Sequence, residues 1–303
     1  MFGKRGALGL KKSETLPAKE ASIATVRPRR VVVFTDLDGT LLDHDTYSWE
    51  AARPALELVR RCHVPLIFNT SKTRAELGDL RGQMDIRDPF VVENGGAIYY
   101  PRGYFKKGIG WPPLADSEHF VEELLGPGYA QIRRFIERMR RDHGYRLAGF
   151  GDLTDEEVAR HTGLSPAQAA LARQRQCSEP FLWQDSAQRF EAFKRKAEQA
   201  GFRILKGGRF YHLIGHSDKG KALRQLMAKY RSTWPNARFL SLALGDSPND
   251  LDMLQAADLP ILVQRPGGQY AAHPPIKNLY LARGIGPRGW NEAMLHWLPQ
   301  LLA

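Results

Sequence analysis

The sequence predicts an α/β protein, a parallel-sheet core into which an α+β domain is inserted. Three observations carry that prediction. Short runs rich in Val, Ile, Leu and Phe alternate with helix-spaced segments across residues 31–112, and again after residue 215. The runs end on polar residues with Gly or Thr beside them, as a ligand crevice at the carboxyl edge of a sheet requires. Residues 113–214 break the alternation and mix helices with single strands and a hairpin.

Taken in order, Val31-Val32-Val33-Phe34 is β-branched and aromatic and reads as a buried strand. It stops on Asp36-Leu37-Asp38-Gly39-Thr40. Ionised groups at the end of a buried strand are costly unless paired or bound to metal, so Asp36 and Asp38 are candidate active-site residues. An acidic turn is the alternative reading of the same letters. Trp49 to Cys62 has helical spacing, and Val64 to Asn69 is a second strand ending in Thr70-Ser71-Lys72-Thr73. A helix follows from Thr73 to Leu80, and Phe90-Val91-Val92 is a third strand, ending in Glu93-Asn94-Gly95-Gly96. Gly108 to Pro113 reads as a linker.

In the inserted block, Phe120–Leu125 and Ala130–His143 are expected to be helices and Tyr145–Phe150 a strand. Thr154 with Glu157 makes a capping box, and Ser165 with Pro166 and Gln168 opens another short helix. Phe181-Leu182-Trp183 reads as a strand and Ser186–Ala200 as a helix. Phe202–Leu205 and Arg209–Ile214 are expected to form a hairpin around Gly207-Gly208. The parallel pattern resumes with a helix at Lys219–Tyr230 and a strand at Phe239–Leu244, which ends in Gly245-Asp246-Ser247-Pro248-Asn249-Asp250. A helix at Leu251–Ala256, a strand at Leu259–Val263 and a closing helix at Trp290–Leu302 complete the chain. The expected division is a leader over 1–30, a core of 31–112 with 215–303, and a cap over 113–214.

The chain has 303 residues and a net charge of +11. Residues 1–30 hold eight Lys or Arg against two Glu, so much of that excess sits in a leader with few large apolar residues, expected to be disordered. Binding to nucleic acid through this leader is a weaker reading than a solvated tail. No apolar run reaches the ~18–20 residues that cross a bilayer, and no signal-peptide pattern is present. The two cysteines, Cys62 and Cys177, lie far apart and suit neither a disulfide framework nor a zinc site. A cytoplasmic protein without a membrane partner is therefore expected, with nucleic-acid binding disfavoured.

Asp36-Leu37-Asp38-Gly39-Thr40, Thr70 after an apolar strand, Lys219 in Asp218-Lys219-Gly220, and Gly245-Asp246-Ser247-Pro248-Asn249-Asp250 occur in that order. Together they resemble the four motifs of the haloacid dehalogenase superfamily of phosphotransferases, and an α+β insertion between the second and third resembles its large-cap subclass. The resemblance implies a Rossmann-like core and Mg2+-dependent phosphoryl transfer. In it, Asp36 is the nucleophile, Asp38 the general acid and base, Thr70 a phosphoryl hydrogen-bond donor and Lys219 a charge-balancing cation. Asp36, the backbone of Asp38, and Asp246 would bind the metal, with Asp250 as an outer partner. A covalent aspartyl-phosphate divides one very slow hydrolysis into two faster steps.

Further segments, among them Asn69-Thr70-Ser71-Lys72-Thr73-Arg74, Glu93-Asn94-Gly95-Gly96, Ser178-Glu179-Pro180-Phe181 and Arg209-Phe210-Tyr211-His212, are similar to the mannosyl-3-phosphoglycerate phosphatase family. The resemblance implies a glycosyl phosphoglycerate substrate, carrying both phosphate and carboxylate. Lys72, Lys206, Arg209 and His212 are candidates for the anionic groups. Asn94, Asp152 and Glu179 are candidates for sugar hydroxyls, and Thr40, Ser71 and Asn249 for further substrate contacts. Sucrose-phosphate or another sugar phosphate is the rival substrate, and a phosphomutase the rival reaction.

Overall fold

The computed structural model describes residues 28–113, 119–206 and 210–303. The basic leader up to residue 27, the Gly207-Gly208 turn and Arg209 lie outside the described residues.

Eight strands make the larger sheet. Six are parallel: β1 (Arg29–Thr35), β2 (Leu66–Asn69), β3 (Phe90–Val92), β10 (Arg238–Gly245), β11 (Leu259–Gln264) and β12 (Tyr280–Ile285). Two antiparallel strands, β4 (Ala97–Pro101) and β5 (Phe120–Leu124), extend one edge, giving the order β12-β11-β10-β1-β2-β3-β4-β5. The chain leaves β1 towards β2 on one side and returns to β10 on the other. The switch point of the sheet therefore lies between β1 and β10, where ligands bind in open α/β sheets. Apolar layers cover both faces. One holds Leu56 and Val59 of α1 (Arg53–Arg61), Leu77 of α2 (Arg74–Gln83), and Trp290, Met294 and Leu298 of α9 (Pro287–Leu302). The other holds Leu223, Leu226, Met227 and Tyr230 of α7 (Lys219–Thr233) with Met253 and Leu254 of α8 (Leu251–Ala256).

The smaller sheet has four antiparallel strands in the order β6-β7-β9-β8, formed by Leu147–Gly149, Ser178–Trp183, Tyr211–Gly215 and Phe202–Lys206. The amphipathic helices α3 (Tyr129–His143) and α6 (Ala187–Gln199) bury Ile132, Phe135, Ile136, Phe193 and Ala197 against its Phe181 and Leu213. The two capping boxes form as expected and open α4 (Asp155–Thr162) and α5 (Pro166–Ala172).

The structure corrects the sequence reading at three places. Phe120–Leu124 is a strand of the larger sheet, not a helix, so the first strand after the linker belongs with the core. We accordingly place the start of the cap after Leu124 rather than at residue 113. The strands at Ala97–Pro101 and Tyr280–Ile285 had no counterpart among the expected elements.

Candidate active site

Asp36 follows the last residue of β1, and its amide donates to the Leu244 carbonyl of β10 at 2.9 Å, so the switch point itself holds it. The Thr35 hydroxyl donates to the Asp36 carbonyl at 2.7 Å and accepts from the Trp290 indole at 3.0 Å. Beyond Asp36 the chain turns back on itself: the amides of Thr40 and Leu42 donate to the Leu37 carbonyl at 3.0 and 2.8 Å. Gly39 permits this turn. Its φ is +79°, and a Cβ there would lie 3.1 Å from Asp246 Oδ2.

Asp246 follows β10 and faces Asp36. Its Oδ1 accepts from the Thr40 hydroxyl at 3.0 Å, and the Arg265 guanidinium stands 3.7 Å from Oδ2. Asp250 is fully buried at the short turn after β10, and both its oxygens are bonded. Its Oδ2 accepts from the Asp246 amide, the Ser247 amide and the Ser247 hydroxyl at 3.1, 3.0 and 2.9 Å. Its Oδ1 is 2.7 Å from Lys219 Nζ, which also donates to Asp36 Oδ1 at 2.6 Å. Lys219, 1% exposed at the start of α7, thus bridges two carboxylates, and Asn69 fixes its backbone carbonyl by a 2.9 Å bond.

The charges account for the electrostatics. Burial first, then the Asp250 charge, pushes Asp36 well above the usual carboxylate range, with Lys219 opposing. Burial, again reinforced by Asp250, raises Asp246 to about 6. Burial disfavours the Lys219 cation, but Asp250 and Asp36 outweigh it and hold the amine protonated. Carboxylate oxygens of Asp36, Asp246 and Asp250 lie within 4.8 Å of one another. Three buried acids facing one lysine are the hard-oxygen donor set a divalent cation takes, and they carry more negative charge than that lysine offsets. The residues fit Mg2+. Both oxygens of Asp250 are bonded, to Lys219 and to the Asp246 and Ser247 amides, whereas Asp36 Oδ2 carries no hydrogen bond among the described residues.

Asp38 differs from Asp36. Its side chain is 39% exposed and forms a 2.9 Å ion pair with Lys72 from the loop after β2. Burial works against the Lys72 cation, yet the Asp38 and Glu76 charges leave its pKa raised. Thr70 is fully buried beside this loop, and the Lys72 amide donates to its hydroxyl at 3.2 Å. Asn94 closes the group: its amide donates to the Thr70 carbonyl at 2.9 Å and its side-chain oxygen accepts from Asn249 at 3.2 Å.

The core candidates thus converge; the cap candidates do not all join them. Asp152 is held by Arg133, Arg140 and the Gly149 amide, and Glu179, fully buried, by Arg133 and the Gly151 amide. Both acids are engaged within the cap. Lys206 is exposed at the end of β8. His212 is half-buried, burial with the nearby Arg175 charge lowers it to about 3, and its Nδ1 has no partner among the described residues. The Ser71 carbonyl accepts from Arg175 at 2.9 Å. Arg175 and Arg265 have no signal in the sequence, because each reaches its partner across a long sequence separation and neither carries a spacing of its own.

Residues 33–108 match a family described as haloacid dehalogenase-like hydrolase. Over 264 residues, 87% of this chain and 96% of its relative, the sequence is 42% identical to a glucosyl-3-phosphoglycerate/mannosyl-3-phosphoglycerate phosphatase of Methanococcoides burtonii. The chain belongs to that family of haloacid dehalogenase-like phosphatases. It is a phosphoric monoester hydrolase. A second family member, a glucosyl-3-phosphoglycerate/mannosyl-3-phosphoglycerate phosphatase of Persephonella marina, is 38% identical over 89% of this chain and 98% of its own length. The fold is shared more widely. The sucrose-phosphatase of Synechocystis, solved with sucrose and phosphate, superposes with a TM-score of 0.52 at 17% identity, covering 89% of this chain and 98% of its own. A Streptococcus mutans protein reaches 0.60 at 18% identity, over 88% and 98%. Among the described residues, no helix is long and apolar enough to cross a membrane.

Proposed function

We propose that this phosphatase is Mg2+-dependent, works through a phosphoryl group carried on Asp36, and hydrolyses a glucosyl- or mannosyl-3-phosphoglycerate. The observation that carries the mechanism is the buried triad of Asp36, Asp246 and Asp250 around Lys219 at the switch point. Asp36, Asp246 and the Asp38 backbone carbonyl would hold the ion, which supplies charge to offset repulsion between carboxylate and phosphate.

Lys219 fixes Asp36 through Oδ1, and Oδ2 carries no protein hydrogen bond among the described residues. That oxygen attacks phosphorus as the bond to the leaving alcohol breaks. The Thr70 hydroxyl and Lys219 hold the phosphoryl oxygens. Asp38, reachable from solvent, gives its proton to the departing alkoxide and then takes one from the water that attacks the Asp36 acyl phosphate. Inorganic phosphate leaves and Asp36 is regenerated. Throughout, Asp250 keeps Lys219 in register through its 2.7 Å bond.

The substrate reading rests on the two relatives' names and on the chemistry around Lys72. A phosphoglycerate brings a carboxylate close to its phosphate. Lys72 lies in the loop that follows Thr70 and Arg175 bonds to that loop at the Ser71 carbonyl, so both supply cations for a ligand with two anionic groups. Among our cap candidates, His212 presents an unpartnered nitrogen to a hydroxyl, while Lys206 ends β8 and pairs with Tyr211 of β9. Two widely separated free cysteines accord with a reducing cytoplasm, where we place the enzyme.

The test is a phosphate-release screen with Mg2+ and with EDTA, on glucosyl-3-phosphoglycerate, mannosyl-3-phosphoglycerate and sucrose-6-phosphate. One of the first two should have the highest kcat/KM, and Asp36→Asn should abolish turnover of all. Faster turnover of sucrose-6-phosphate would overturn the substrate. Substantial activity in Asp36→Asn would overturn the nucleophile, and conversion without free phosphate would point to a mutase.

A further inference from the structure

Glu93 has no part in the chemistry above, yet it is a carboxylate with no exposure at all. It follows β3 and meets the two residues before the cap strand β7 and the first residue of that strand. Its Oε1 accepts from the Gln176 amide at 2.8 Å, and its Oε2 from the Cys177 amide at 3.1 Å and the Ser178 hydroxyl at 2.7 Å. Three donors from consecutive cap residues therefore end on one core side chain, 83 to 85 residues away in sequence. Buried donors deprived of such an acceptor carry an uncompensated desolvation cost, so the contact is a clamp.

The backbone of the same turn faces the active site. The Glu93 amide donates to the Lys72 carbonyl at 3.0 Å and the Asn94 amide to the Thr70 carbonyl at 2.9 Å. Glu93 (φ 52°) and Asn94 (φ 58°) are both left-handed, a conformation that side-chain-bearing residues keep only where their surroundings hold them in it. At Gly95 a Cβ would lie 2.2 Å from the Asp218 carbonyl oxygen and 2.7 Å from the Lys219 nitrogen. One short turn thus touches the cap strand, the phosphoryl-binding loop and the start of the helix that carries Lys219.

We propose that Glu93 is a positioning residue that couples the seating of the cap to the placement of Lys72 and Asn94, the candidates for the glycosyl phosphoglycerate's carboxylate and hydroxyls. The inference rests on the reading of the cap as the part that recognises a glycosyl phosphoglycerate. A substrate that fills the cap depends on the coupling; a small aryl phosphate that needs only the core does not. Two other contacts, Thr73 Oγ1 to the Leu171 carbonyl at 3.0 Å and Arg175 to the Ser71 carbonyl, keep cap and core joined when the clamp is weakened.

The test compares the full-length enzyme with Glu93→Gln and Ser178→Ala. Glutamine keeps the shape but turns an NH2 towards cap donors; the serine change removes one bond and leaves the carboxylate. With Mg2+, kcat and KM are measured for glucosyl-3-phosphoglycerate and for p-nitrophenyl phosphate. Glu93→Gln should lower the ratio of the two kcat/KM values about tenfold or more, and Ser178→Ala about threefold. Equal losses on both substrates, or an unchanged ratio, overturn the proposal. Should Glu93→Gln not fold, Ser178→Ala decides by the same ratio. If wild type hydrolyses only the aryl phosphate, the substrate reading fails and amide exchange decides the coupling. Faster exchange at Gln176, Cys177 and Asn94 together supports it, and exchange faster only at the cap amides overturns it.

Discussion

Replacing Lys219 with methionine keeps the length of the side chain and removes its charge from a site where that charge is 1% exposed. In wild type, Nζ is 2.6 Å from Asp36 and 2.7 Å from Asp250. Breaking a buried ion pair by deleting one partner costs about 3–5 kcal/mol, because the surviving charge stays desolvated. Here two carboxylates lose their partner at once, so the metal-free variant should sit in the upper half of that range. At a few degrees per kcal/mol for a chain of this size, the fall in Tm is roughly 10 °C or more. The deficit also has a sign in pH. Asp36 and Asp246 already have raised pKa values, and without the lysine they rise further. Acids of that kind contribute stability at low pH and lose it as pH climbs through the folded-state pKa, so the deficit should be small near pH 5 and large at pH 8. Thermal scans of wild type and Lys219→Met at both pH values, in EDTA and in millimolar Mg2+, measure it; Mg2+ should recover part of the loss at pH 8. Melting of the variant within about 2 °C of wild type at pH 8 in EDTA would refute the claim that this lysine balances the triad.

Asp246 supplies a second pH effect, in the wild-type protein. Its folded pKa of about 6 lies above the usual aspartate value of 3.8, so metal-free stability should fall as pH rises from about 4 to 7. The shift is worth about 3 kcal/mol at most, readable from urea midpoints, and the fall should vanish with saturating Mg2+. Thr40→Val removes the 3.0 Å bond to Asp246 Oδ1, a bond that favours the ionised form. Mg2+ affinity, measured by calorimetry, should weaken about tenfold with little change in the apo melting temperature at pH 5.

What the sequence discloses and what it hides follow from range. Asp36, Thr70 and Asp246 are legible because each ends an apolar run, and a polar residue there has few structural uses. The pairing of Lys72 with Asp38 is not, since it depends on β1 and β2 lying side by side with their ends level. Phe120-Val121-Glu122-Glu123-Leu124-Leu125 suits a helical and an alternating pattern equally over six residues, and only the partner strand β4 decides for extended chain. Tyr280–Ile285 is an edge strand carrying Arg283 and Gly284, so its composition reads as a loop. In the cap, Asp152 and Glu179 have the chemistry of sugar ligands but are taken by Arg133 and Arg140, whose approach from α3 no local pattern announces.

The two carboxylates at the end of β1 are two residues apart and have opposite surroundings. Asp36 lies inside the edge of the sheet, held by Lys219 and facing Asp246 and Asp250, buried away from water as the proposed nucleophile and metal ligand would be. Asp38 lies past the edge, more than a third exposed, with Lys72 beside it. Proton transfer in the proposed mechanism needs a group within reach of water, and of the two Asp38 is the more exposed. The turn at Gly39 creates this difference by carrying the chain over Asp246 immediately after the strand. Exchanging the residues in thought makes the point. Under the proposed mechanism, a proton-transfer acid at position 36 would be buried away from water, and a nucleophile at 38 would stand away from Lys219 and from the carboxylates proposed to hold the ion. The strand end therefore does more than collect acids. It sorts them by burial, and that sorting is what the proposed division between nucleophile and proton-transfer acid needs.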